Sequence, residues 1–186
     1  PALPGLEPGS YEPGRLVWTN DGLGITVITG DGPRSFYWNG EAVQELGAYG
    51  LMGWIPRTSS LLATRDAGDG TGELVTITPG RGDGVTLMRA GNFVSAVAPG
   101  EGQYVVVATG AGDQIEIQRV GWGGNVFPLR SESAQSAALS LTPPGEMIAI
   151  STPAEDGWQT EVVTMDETPR ILLSTHMPAP PVLVMR

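Results

Sequence analysis

One histidine stands in the chain, His176, between Thr175 and Met177. A Ser-His-Asp relay needs an imidazole held within hydrogen-bond reach of its nucleophile. A lone histidine beyond the last patterned strand is read as a solvated linker residue, not as a base. The adjacent carboxylates Glu155 with Asp156, and Asp166 with Glu167, do not make an acid/base pair either. Neighbours on a strand point to opposite faces, and neighbours in a turn face water. Oxygen ligands gather in RDAGDGTGE, where Asp66, Asp69 and Glu73 can face a hard cation such as Ca²⁺. Their spacing matches no EF-hand loop, and Asp-Gly is ordinary hairpin chemistry, so the run is read as a turn, with those three kept as candidate metal ligands. GWGGN at 121–125 lacks the Lys, the Ser/Thr and the following helix of a phosphate-binding loop and is also read as a turn. Trp122 within it is read first as packing onto the neighbouring sheet, and is kept as a candidate interface anchor. The catalytic and cofactor-binding sets are therefore empty.

The elements that must position these residues recur. Near residue 18 the chain reads VWTNDGLGITVIT, near 54 GWIPRTSSLLATR, near 97 AVAPGEGQYVVVAT and near 141 SLTPPGEMIAIST. Each is an apolar strand, a Pro/Gly/Asp turn and a second apolar strand. Leu62, Val105 and Ile148 stand 43 residues apart, each opening the second strand of its copy. Repeats of this length built from several short strands predict an all-β chain of blade-like sheets, a β-propeller of about four four-stranded antiparallel blades. The blades are expected over 15–47, 51–89, 93–130 and 137–174, after a Pro/Gly-rich linker at 1–14. A linker and one extra strand occupy 176–186. The second strands (YVVVAT, MIAIST) are the most uniformly apolar, as strands covered on both faces are. The third strands alternate, with Ile115 and Ile117 opposed to Glu116 and Gln118. Ser95, Ala96, Ala98, Ala138 and Ser140, small and uncharged, are expected to line the channel, a poor place for chemistry.

Composition narrows the partners. The net charge of −10 disfavours nucleic acid and anionic membrane surfaces, which are held chiefly by Lys and Arg. All ten basic residues are Arg. Between Arg130 and Arg170 the acidic residues Glu132, Glu146, Glu155, Asp156, Glu161, Asp166 and Glu167 accumulate with no cation among them. The run is read as a solvated face, with a docking surface for a basic partner as the alternative. No apolar run reaches the ~20 residues that span a bilayer. Cysteine is absent, which removes disulfides and thiolate metal sites. The sequence opens PALPGLEPGS without Met, as expected of a processed chain or a piece of a longer one.

TNDG, APGEG and TPPGE before an apolar strand, then a third strand and a GG or PG turn, resemble the degenerate W-SPDG repeat of TolB-like propellers. Trp18 and Trp54 sit where that repeat has its Trp; Val97 and Leu141 replace it. The resemblance runs from residue 15 to 175. It implies a propeller, usually with six or more blades; an extracytoplasmic setting is a separate expectation. With four blades counted, closure has two readings: the ring closes on itself with the last strand as a clasp, or a partner chain or second copy completes it. Val182, Leu183, Val184 and Met185 form the spare strand and are, with Trp122, the candidate interaction residues. The functional expectation is a non-enzymatic scaffold for protein–protein interaction within a larger assembly. A propeller accompanying a hydrolase, or one binding a small ligand or Ca²⁺, is the alternative.

Overall fold

The computed structural model describes residues 3–81, 84–100, 104–142, 145–166 and 168–178. Among the described residues there are sixteen strands and no helix, grouped into four four-stranded sheets. The chain divides into two compact units, Pro1–Arg89 and Ala90–Arg186. Each holds two sheets, and each sheet is a meander whose strands pair in chain order.

In the first unit, one sheet comprises β1 (Glu12–Trp18), β2 (Leu23–Thr29), β3 (Gly32–Trp38) and β4 (Val43–Gly47). The other comprises β5 (Gly50–Trp54), β6 (Leu61–Asp66), β7 (Gly72–Ile77) and β8 (Thr86–Ala90). The second unit follows with β9 (Phe93–Val97), β10 (Tyr104–Ala111), β11 (Gln114–Gly121) and β12 (Val126–Glu132). Its last sheet is β13 (Ala138–Leu141), β14 (Met147–Ala154), β15 (Gly157–Thr164) and β16 (Ile171–Met177). The four residues aligned by the sequence repeat, Trp18, Trp54, Val97 and Leu141, each end the first strand of a sheet. Ile115 and Ile117 are fully buried while Glu116 faces water, as their alternation predicts.

One detail of the repeat shifts. Trp54 pairs with Leu61, Val97 with Val106 and Leu141 with Ile148, so Leu61 rather than Leu62, and Val106 rather than Val105, are the counterparts of Ile148. A slip of one residue turns a strand over, because side chains alternate between faces. Leu61 and Ala63 accordingly join Val17, Tyr37 and Val75 in the core of the first unit. Ile148 and Ile150 join Val106, Ala108 and Ile117 in that of the second.

The seam between the two sheets of the first unit is tight and partly polar. Gly24 has room for no side chain, since a Cβ there would lie 2.8 Å from Leu51 Cδ1. Beside it, Thr26 Oγ1 and Ser35 Oγ, both buried, lie 2.9 Å apart. Leu51 N donates to Thr26 Oγ1 at 3.0 Å, and Ser35 Oγ donates to Tyr49 O at 2.6 Å. The hydroxyl pair thus receives the backbone of the chain as it enters β5, and β5 runs beside β1. Buried polar groups persist when each has a partner, and here each does.

Candidate functional site

The residues singled out in the sequence are not brought into one place. Asp66 and Asp69 work inside their own turn: Asp66 Oδ1 accepts Gly68 N at 2.8 Å, and Asp69 Oδ1 accepts Thr71 N at 3.0 Å and the Thr71 hydroxyl at 2.5 Å. That hydroxyl holds the Asp69 carboxyl below the usual carboxylate range. Glu73 lies away from them in function. It is buried on β7, where Arg65 Nε reaches Oε2 at 2.8 Å, while Arg89 Nε and Nη2 reach Oε1 at 2.8 and 2.6 Å. Both oxygens are engaged by guanidinium groups, which leaves this carboxylate poorly disposed toward a cation. The Arg65 bond first, and Arg89 second, lower its pKa from the ordinary value. No group of three or more His, Asp or Glu among the described residues is placed to hold a metal ion.

Trp122 stands half-buried in the turn between β11 and β12. Val182, Leu183, Val184 and Met185 lie outside the described residues. His176 is on a strand: β16 pairs with β15 from Ile171 to Met177 with one register shift at Leu172, His176 pairs with Gln159, and its Nε2 lies 3.2 Å from Asp156 O. Glu155 and Asp156 form the exposed two-residue turn bracketed by the Ala154–Gly157 pair. Ser95 and Ala96 are buried on β9; Ala98, Ala138 and Ser140 are half-buried.

Two features of the second unit escaped the sequence reading. The first is its outer strand. β16 ends its sheet and pairs only with β15. Its residues Ile171, Leu172 and Leu173 are 54%, 55% and 55% exposed. Leu172 is the extra residue of a bulge, since Val162 pairs with Leu173 and Val163 with Ile171, and all three side chains stand open to solvent. An edge with unpaired backbone groups and apolar side chains is a template for another strand.

The second is a cavity of about 560 Å³ lined by Tyr104, Arg119, Glu146, Met147, Met165 and Leu172, among others. Arg119 is placed by register: on β11 it lies opposite Phe127 of β12 and opposite Val106 of β10, two residues from Tyr104. Its guanidinium sits 5.3 Å from the Phe127 ring centre and 5.5 Å from that of Tyr104. Tyr104 donates its hydroxyl to Gly145 O at 2.8 Å. Gly145 has φ +79°, and a Cβ there would come within 2.8 Å of the Tyr104 hydroxyl and of Pro99, so only glycine closes this corner. Burial pushes the Tyr104 phenol up, with the Arg119 charge acting against that. Counting residues outward from the Gly112-Asp113 turn sets this register, and that count was the signal available in the sequence.

No known family pattern and no curated protein matches the chain. Among solved structures, it is similar to the β-propeller domain of the Trilobed protease from Pyrococcus furiosus (TM-score 0.66, 8% identity, covering 88% of this chain and 57% of that one). It is also similar to a protein described as TolB from Agrobacterium tumefaciens (0.64, 15%, 86% and 65%). A third likeness is to the acylaminoacyl peptidase of Pyrococcus horikoshii (0.64, 10%, 88% and 32%). The fold is that of a β-propeller, shared with a TolB-like propeller and with the propeller domains of peptidases. The chain spans less than two thirds of the length of each of these structures.

Proposed function

We propose that this chain is a non-enzymatic β-propeller scaffold that mediates protein–protein interaction, as a subunit or extracytoplasmic domain of a larger assembly. The observation that carries the reading is the open edge of β16 with Ile171, Leu172 and Leu173 exposed. Main-chain pairing along such an edge supplies affinity, and alternate side chains supply selectivity. Acidic Glu155 and Asp156 border one end of the sheet, so a strand with a basic residue toward that end is the fitting partner. The extracytoplasmic placement is a separate part of the proposal. A photoreactive residue in place of Leu172, activated in the native cell, should give a discrete protein adduct, and the same residue at exposed Glu41 should not. Equal labelling from both positions, or none from 172, overturns the reading. Recovery of the native protein in the cytosol removes the extracytoplasmic part.

The likeness to peptidase propellers favours one other reading, a propeller that accompanies a hydrolase domain. An immunoblot of the native protein at the mass of this chain alone, with no peptidase in complex with it, removes that reading.

A further inference from the structure

Two opposite charges border the cavity in the second unit, half-buried Arg119 and exposed Glu146, and they form no ion pair with each other. No described carboxylate lies within ion-pair distance of Arg119, whose described partners are the rings of Tyr104 and Phe127. Both rings lie at cation–π distance from the guanidinium, an interaction that uses none of its N–H donors, which stay available to a planar acceptor. Glu146 lines the same cavity with its carboxylate unpaired among the described residues, its backbone carbonyl alone being taken, by Met165 N at 2.9 Å. Asp166, the other acid there, is already occupied by the Thr164 hydroxyl at 3.0 Å and by Arg170 at 3.6 Å. The same lining includes the apolar, adaptable side chains Met147, Met165 and Leu172.

From this arrangement we propose that the cavity binds a short peptide with free termini and apolar side chains, its carboxylate on the edge of Arg119 and its ammonium toward Glu146. Paired bonds from a guanidinium suit a carboxylate, and charge-assisted bonds are the stronger ones. A volume of about 560 Å³ lies in the range of small-ligand sites and exceeds what a single amino acid fills. Leu172 of β16 supplies one wall of the cavity, but the main-chain edge of that strand plays no part in this proposal, and peptide binding is read out separately from strand pairing.

Titration calorimetry of the whole chain with the dipeptide Leu-Leu tests it, with N-acetyl-Leu-Leu and Leu-Leu amide as probes that each lack one charge. Leu-Leu should bind with saturable heat, and each analogue should bind at least about tenfold more weakly, the loss of one charge-assisted bond. R119Q and E146Q should each weaken Leu-Leu by a similar factor. R119Q should leave the amide analogue unaffected, because that analogue no longer carries the group Arg119 holds. No saturable heat, equal binding of the three peptides, or unchanged binding to folded R119Q overturns the proposal. The analogue series needs no variant, so it decides the matter even if a substitution fails to fold.

Discussion

The two units solve the same packing problem with opposite chemistry. Thr26 and Ser35 face each other across β2 and β3, four residues before a Gly-Asp turn. Ala108 and Ile117 hold that place across β10 and β11. In the first unit the pair hydrogen-bonds the chain entering β5; in the second, Leu139 and Ala137 pack there with no polar atom from the pair. The outer ion clusters invert as well. In the first unit one carboxylate, Glu73, binds two arginines, Arg65 and Arg89. In the second, one arginine, Arg130, binds two carboxylates, Glu132 and Glu161, the latter at 2.6 Å. Architecture is therefore set by strand pattern and turn position, while the seam tolerates either directional bonds or volume. Directional bonds fix register; an apolar seam contributes more burial and less discrimination.

The largest effect that separates the seams should come from Ile117→Ala. A fully buried side chain is lost from the apolar seam, at a cost of about 2–5 kcal/mol in urea unfolding. Amide exchange should quicken in β10 and β11 and hold in β2 and β3; uniform quickening would deny that the units keep separate cores. Next comes Thr26→Val, nearly the same shape, which strands the buried Leu51 N and should cost about 1–3 kcal/mol. A loss within about 0.3 kcal/mol of zero would show that the polar seam adds nothing to stability over the apolar one.

The smallest contrast concerns acid. Glu73 has a lowered pKa in the folded chain, so its contribution is fully present above the ordinary carboxylate value of about 4.3 and is lost as pH falls through the depressed folded value. Glu73→Gln should lower Tm at neutral pH and flatten its decline below about pH 4. Parallel Tm curves for the two proteins would sink the assignment.

How much of this was legible follows from what each feature depends on. The buried alternation of Ile115 and Ile117 follows from local pattern, and the structure keeps it, whereas β1 begins at Glu12, inside the stretch read as a linker. The role of Glu73 does not follow from local pattern. Read beside Asp66 and Asp69 it resembles a cation loop, but it sits directly across from Arg65, and only the register of β6 against β7 reveals that. Arg119 is the same case on a wider scale, since Phe127 and Tyr104 reach it from two different strands. The one-residue shift at Leu61 shows how equal spacing in sequence conceals a reversal of face. The exposed row Ile171, Leu172 and Leu173 looked like any apolar strand, because exposure is a property of the neighbours a strand lacks.

Every cation in the chain being arginine carries a consequence for alkali tolerance. Guanidinium groups keep their charge beyond pH 12, where ammonium groups, discharging near 10.4, would have released their partners. The clusters around Glu73 and Arg130 thus outlast the phenols as the solution turns basic. Tyr37 and Tyr104 both have raised pKa values, through burial first. Their support is whole below the ordinary phenol value of about 10 and is withdrawn only as pH climbs through the higher folded values. Alkaline unfolding should therefore track phenolate absorbance rather than the loss of the ion pairs.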